Sequence, residues 1–326
     1  MRRAAQIVVV LSVLAFAVVM AGCGGGTGAP DGATIDTAKK PPPAPPPPST
    51  PCKIAFERMV KGDWQVFTIN TDGTGEQQLT SGRKQGSNSS PSWSGDGRLC
   101  FASDRDGDTR LYVMDSDGSG QEAVSNPPSG CGDNMPSWCL NDPGTIVFSR
   151  HRAGTTLEWD ICVLDLDSGA VEQRTTSPSY DDFPSCSRDG DLAVFTRKND
   201  VENRKELYVA SLSGAQQVTA LTWEGEPIIG AYPEWSPGGD AIAFYYYADA
   251  WQVPVDPATG EALGPPQRLT TDFDAVREYY PTWSPTQDWI AYSTGSRVVA
   301  VELQTGNTID LADGDNPDWS PAVFGQ

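Results

Sequence analysis

The chain has 326 residues, with 23 Lys and Arg against 43 Asp and Glu, and a formal net charge of −20. That balance argues against a nucleic-acid partner, which needs clustered cations to meet phosphate. The single histidine, His151, excludes any two-imidazole metal centre of the HExxH type. Ten Trp, ten Tyr and ten Phe supply enough apolar bulk for a packed core.

Residues 1–22 read as an address. Arg2 and Arg3 precede a 13-residue apolar stretch, Ile7 to Val19, too short to span a membrane comfortably. Met20-Ala21-Gly22-Cys23 follows. The segment resembles a bacterial lipoprotein signal peptide, with Met at the lipobox position usually held by Leu. The resemblance implies cleavage before Cys23, acylation of Cys23 and anchorage in a membrane. An ordinary signal peptide is the alternative. Gly24 follows Cys23, where Asp can mark inner-membrane retention in enteric bacteria, which favours the outer membrane. Residues 23–51 then form a tether. Gly24 to Gly26 is flexible, and the run PPPAPPPP from Pro41 to Pro48 is expected in the extended polyproline conformation.

Residues 52–326 repeat. Pro-x-Trp-Ser occurs at 91, 233, 281 and 317, with degenerate copies PSWC at 136 and PSCS at 184. The intervals are 45, 48, 49, 48 and 36 residues. Copies lead through a turn into an apolar strand such as Leu99-Cys100-Phe101 or Ile242-Ala243-Phe244. A second strand, an Asp-Gly or Ser-Gly turn and often Leu-Thr follow. Four short strands per unit at this period predict an all-β, six-bladed β-propeller of four-stranded blades. The last copy stops ten residues after it starts, and the domain begins in mid-unit. The C-terminal strand is therefore expected to complete the blade begun by the N-terminal strands.

The copy at 91–118, PSWSGDGRLCFASDRDGDTRLYVMDSDG, resembles the TolB-like (PD40, WD40-like) propeller repeat, and the resemblance covers residues 52–326. It implies an envelope-facing propeller used for protein contacts. The extra α/β domain of TolB and the hydrolase domain of the prolyl oligopeptidase relatives have no counterpart here.

Trp93, Trp138, Trp235, Trp283 and Trp319 share one repeat position, where Cys186 stands sixth, and read as filler between blades. Asp104 to Asp108 has some flavour of a calcium loop but lacks the terminal Glu. Besides Cys23 there are six cysteines, an even number that suits an exported, disulfide-bearing domain with fifteen pairings open. Cys131 with Cys139 is the expected pair, since both flank one innermost strand. Cys52 with Cys100, or reduced buried thiols, are the alternatives.

Residues just before each innermost strand should ring the channel mouth. Acids there are Asp133, Asp181, Asp182, Glu278 and Asp315, and aromatics are Phe183, Tyr232, Tyr279 and Tyr280. Converging carboxylates focus negative potential and aromatic rims supply contact area, which suits a basic peptide segment or a calcium ion. No GxSxG elbow, Walker loop or dinucleotide fingerprint is present. The expectation is a lipid-anchored envelope protein, not an enzyme, whose propeller binds a protein partner. The alternative is a calcium-dependent carbohydrate-binding propeller, or one cleaving carbohydrate with paired carboxylates.

Overall fold

The computed structural model describes residues 52–81, 86–155, 158–176, 180–270 and 279–321. The signal segment, Cys23 and the tether lie outside the described residues, as does Glu278. The described residues form six four-stranded antiparallel sheets, a two-stranded one of Thr222–Trp223 with Glu226–Pro227, and no helix. Blade 2 shows how the repeat folds, with strands Asn88–Trp93, Leu99–Ser103, Arg110–Met114 and Glu122–Ala123. Its turns are those written in the sequence. Gly97, Gly107 and Gly118 each close one, at φ 91°, 110° and 89°, a region glycine enters without a Cβ penalty. Strand Leu99–Ser103 is buried throughout, because neighbouring blades cover both of its faces.

Blades 3 to 6 begin with innermost strands Gly132–Trp138, Asp181–Cys186, Ala231–Trp235 and Tyr279–Trp283. Blade 1 is shared by the two ends of the domain. Its innermost strand is Asp315–Trp319, followed by Lys53–Val60, Asp63–Asn70 and Gln77–Gln78. Ile54 pairs with Trp319, and the Ser320 N–H donates to the Lys53 carbonyl at 2.8 Å. The ring closes as the repeat arithmetic requires.

The recurrent Trp fills the junction with the preceding blade. Trp93 packs on Ala55, Val66 and Leu79, and Trp138 packs on Cys100, Leu111 and Val113. Trp235 meets Val194, Leu207 and Val209, and Trp319 meets Trp289, Ala291 and Val298. Each indole stabilises its junction by a few kcal/mol, judged by the cost of truncating a core Trp.

Blade 4 lacks this Trp and has Cys186, which forms a disulfide with Cys139 of blade 3 (Cα–Cα 5.2 Å). A covalent bond thus crosses the junction where the indole is missing. This corrects the expected Cys131–Cys139 pair. Those two cysteines sit at opposite ends of the strand Gly132–Trp138, on the order of 25 Å apart at the rise of an extended chain. Cys131 is a half-buried thiol, and Cys100 and Cys162 are buried ones.

Candidate functional site

Each innermost strand carries the same irregularity. The residue before its proline has a left-handed backbone: Ser90, Met135, Phe183, Tyr232, Tyr280 and Asn316, all with φ between 49° and 53°. The strand pairing slips at this point in every blade. Such β-bulges re-aim a side chain at the cost of about 1–3 kcal/mol of backbone strain. All six re-aimed side chains line the central channel, which encloses about 170 Å³.

The next residue but one, the x of Pro-x-Trp, holds the ring together. In each blade its side-chain oxygen accepts the backbone N–H of the repeat-position residue in the following blade. Ser92 takes Trp138, Ser137 takes Cys186 and Ser185 takes Trp235, each at 3.0 Å. Glu234 takes Trp283 and Thr282 takes Trp319, both at 3.1 Å. Asp318 takes Trp93 at 2.6 Å and closes the circle. Two of the six acceptors are carboxyls within the channel wall. Burial raises Glu234 well above its ordinary value, with Asp318 adding to the rise, and burial raises Asp318 likewise.

At the mouth the aromatic residues converge. Phe183, Tyr232 and Tyr280 come from consecutive blades, with ring centroids 4.5 Å (Phe183–Tyr232), 4.3 Å (Tyr232–Tyr280) and 5.6 Å (Phe183–Tyr280) apart. Since Phe183 and Tyr280 belong to non-adjacent blades, the rings reach across the opening rather than rimming it. Tyr279 extends the cluster outward, 5.0 Å from Tyr245 and 5.9 Å from Tyr232. Burial, with Tyr232 beside it, raises the Tyr280 hydroxyl far above its ordinary value.

The acids separate into different environments. Asp133 and Asp181 are fully buried and meet bidentate guanidinium forks. Arg150 donates to Asp133 at 2.6 and 2.9 Å, and Arg197 to Asp181 at 2.6 and 2.7 Å. These are structural pairs, and they add no net charge to the opening. Asp315 lies half-buried opposite Glu57 in the strand pairing. Burial pushes the Glu57 carboxyl up to about 7. The Ser90 N–H it accepts at 2.6 Å opposes the rise, and Asp315 adds to it. Asp182 is fully buried and neither oxygen has a hydrogen-bond partner, although the Tyr180 hydroxyl approaches it. Burial pushes Asp182 up to about 7 against the pull of the Lys205 ammonium.

Sequence reasoning missed Glu57, Glu234, Asp318 and Lys205. A signal for two of them was present, because x is an acceptor in all six copies: Ser92, Ser137, Ser185, Glu234, Thr282 and Asp318. Among the described residues, no three His, Cys, Asp or Glu side chains converge as a metal site.

A family model, the TolB beta propeller domain (PD40), matches residues 42–237. No curated protein matches the chain by sequence. Among solved structures, TolB from Acinetobacter baumannii is similar over 83% of this chain and 67% of that one (TM-score 0.64, 21% identity). An oligogalacturonate lyase in complex with manganese is similar over 80% and 74% (TM-score 0.55, 15% identity). A chain of a nidogen/laminin complex is similar over 82% and 98% (TM-score 0.58, 9% identity). At these identities the likeness is one of fold.

Proposed function

The chain belongs to the TolB β-propeller domain family, and from that premise we propose that it docks a protein partner at the channel mouth. In this reading the propeller is held to the bacterial envelope, with the outer membrane favoured, by a lipid on Cys23 and the tether to residue 51. The observation that carries it is the aromatic cluster of Phe183, Tyr232 and Tyr280. Three bulky half-buried rings occupy left-handed positions that Ser90 and Asn316 fill in other blades. The fold tolerates a small polar residue there, so the rings serve something other than closure of the ring. Aromatic clusters of this kind anchor protein interfaces. The acid near them, Asp182, Glu57 and Asp315, and the net charge of −20 favour a basic partner segment.

The carbohydrate reading keeps one supporting observation. A half-buried tyrosine surface of Tyr232, Tyr245 and Tyr279 beside carboxyls suits sugar rings as well as side chains.

The test is capture from detergent-solubilised envelopes after crosslinking, read by mass spectrometry. The bait is the full-length chain, compared with Phe183→Asn, Tyr232→Asn and Tyr280→Asn combined. Asn adopts the left-handed backbone readily and already stands at 316, so the fold should persist. A partner held by the first bait and lost by the second supports the reading. Equal capture by both removes it, and turnover or retention of a glycan panel without a partner favours the second reading.

A further inference from the structure

Lys205 lies on the third strand of blade 4, Arg204–Ser211. Its ammonium sits over three aromatic rings, 5.0 Å from Tyr232, 5.6 Å from Phe183 and 5.8 Å from Tyr180. All three lie within the reach at which a ring quadrupole attracts a cation. The ion pairs of this strand and of its neighbour Leu192–Asn199 go to Arg204, Arg197 and Lys198 instead. Beside this cage lies Asp182, 0% exposed, with neither oxygen in a formed hydrogen bond and only the Tyr180 hydroxyl and the Lys205 ammonium drawing on it. A buried carboxyl short of hydrogen-bond partners is costly, and a closer approach of the Lys205 ammonium would relieve that cost. The Lys205 stem has four rotatable carbons, enough freedom for its ammonium to leave the rings.

We propose that the three rings form a cage for a lysine ammonium of a protein partner, held closed by Lys205, which moves onto Asp182 when the partner ammonium enters. The inference rests on the mouth-docking reading and names the chemistry of its contact. The cage already holds an ammonium, so its size and electrostatics suit one. Asp182 offers the displaced group a seat, so the exchange leaves one ammonium on the rings and one on the carboxyl. The net charge of −20 favours the arrival of a cationic segment.

The test uses the full-length chain carrying 3-fluorotyrosine, followed by fluorine NMR. The Tyr180 and Tyr232 signals are assigned with Tyr→Phe variants. The probe is tetramethylammonium chloride, with sodium chloride at equal ionic strength as the reference. It carries no hydrogen-bond donor and reads the rings alone. Lys205→Ala empties the cage and should bind the probe about tenfold more tightly than wild type, with both tyrosine signals moving. Asp182→Asn removes the seat for Lys205 and should weaken binding to the otherwise unaltered chain. Binding by Lys205→Ala no tighter than wild type, or shifts that spare Tyr180 and Tyr232, would overturn the inference. Because the titration contains no partner, that failure leaves the capture result to judge mouth docking separately.

Discussion

Removing the Arg197 guanidinium isolates a buried charge and shows what the mouth acids do. Asp181 is 0% exposed and Arg197 about one-fifth exposed (20%), joined by two short hydrogen bonds. Arg197→Met keeps an unbranched stem over Phe195 and Tyr208, where the guanidinium now lies 5.5 and 4.6 Å from the ring centroids. What is lost is the charge. Breaking a buried pair from one side costs about 3–5 kcal/mol, because the remaining charge has no compensation. For a domain of this size that corresponds to a Tm lower by roughly 10 °C. The assay is thermal unfolding followed by circular dichroism. Lys198→Met is the reference, since its pair with Asp200 is exposed on both sides and is worth about 0–1 kcal/mol. The double variant Asp181→Leu with Arg197→Met should recover much of the loss, since no charge is stranded. A Tm for Arg197→Met within 2 °C of wild type would refute the assignment of Asp181 to the scaffold (about 1 kcal/mol or less).

The Cys139–Cys186 disulfide spans 47 residues of sequence, and a loop of that length gives about 4 kcal/mol of stabilisation by chain entropy. Reductant should lower the unfolding midpoint of wild type and leave Cys139→Ser with Cys186→Ser unchanged. Asp318→Leu strands the Trp93 N–H at ring closure and should cost about 1–3 kcal/mol in urea unfolding, whereas Asp318→Asn should cost less. Glu57 has a higher pKa folded (about 7) than its ordinary 4.5, so folding takes up a proton. Its contribution to stability is fully present below about pH 4.5 and is lost as pH rises through about 7. The urea midpoint of Glu57→Gln should therefore fall less than that of wild type between pH 5 and pH 9.

The fold was legible because it is periodic. Pro-x-Trp-Ser marks the strand nearest the axis, Asp-Gly marks the turns, and ten residues left over at one end match a blade incomplete at the other. The site was legible in part, because a one-dimensional pattern gives the end of a strand but not its cross-strand neighbour. Asp133 and Asp181 looked free because their partners, Arg150 and Arg197, lie 17 and 16 residues on, across a hairpin. Glu57 was hidden because it faces Asp315 only after the ring closes over 258 residues. Phe183, Tyr232 and Tyr280 line the channel. Their convergence across it depends on the bulge, which the following proline marks in every copy and which alternation of strand residues does not reveal. The disulfide was misassigned for a similar reason. Cys139 is close in sequence to Cys131, yet a strand separates them, while Cys186 lies one blade away at the same height.

The central claim is that a partner meets the mouth face of the propeller, and a positional crosslink tests it most directly. The hairpins following the second strands of blades 4 and 5 lie at the mouth end and carry Val201 (95% exposed) and Tyr247 (79% exposed). Leu263 (64% exposed) lies at the opposite end, after the strand Asp249–Pro254. A photoreactive residue placed at 201, 247 or 263 in the full-length chain would be activated in intact envelopes, and the adducts identified by mass spectrometry. The account predicts one protein adduct shared by positions 201 and 247 and missing at 263. An adduct at 263 with none at 201 and 247 would contradict it.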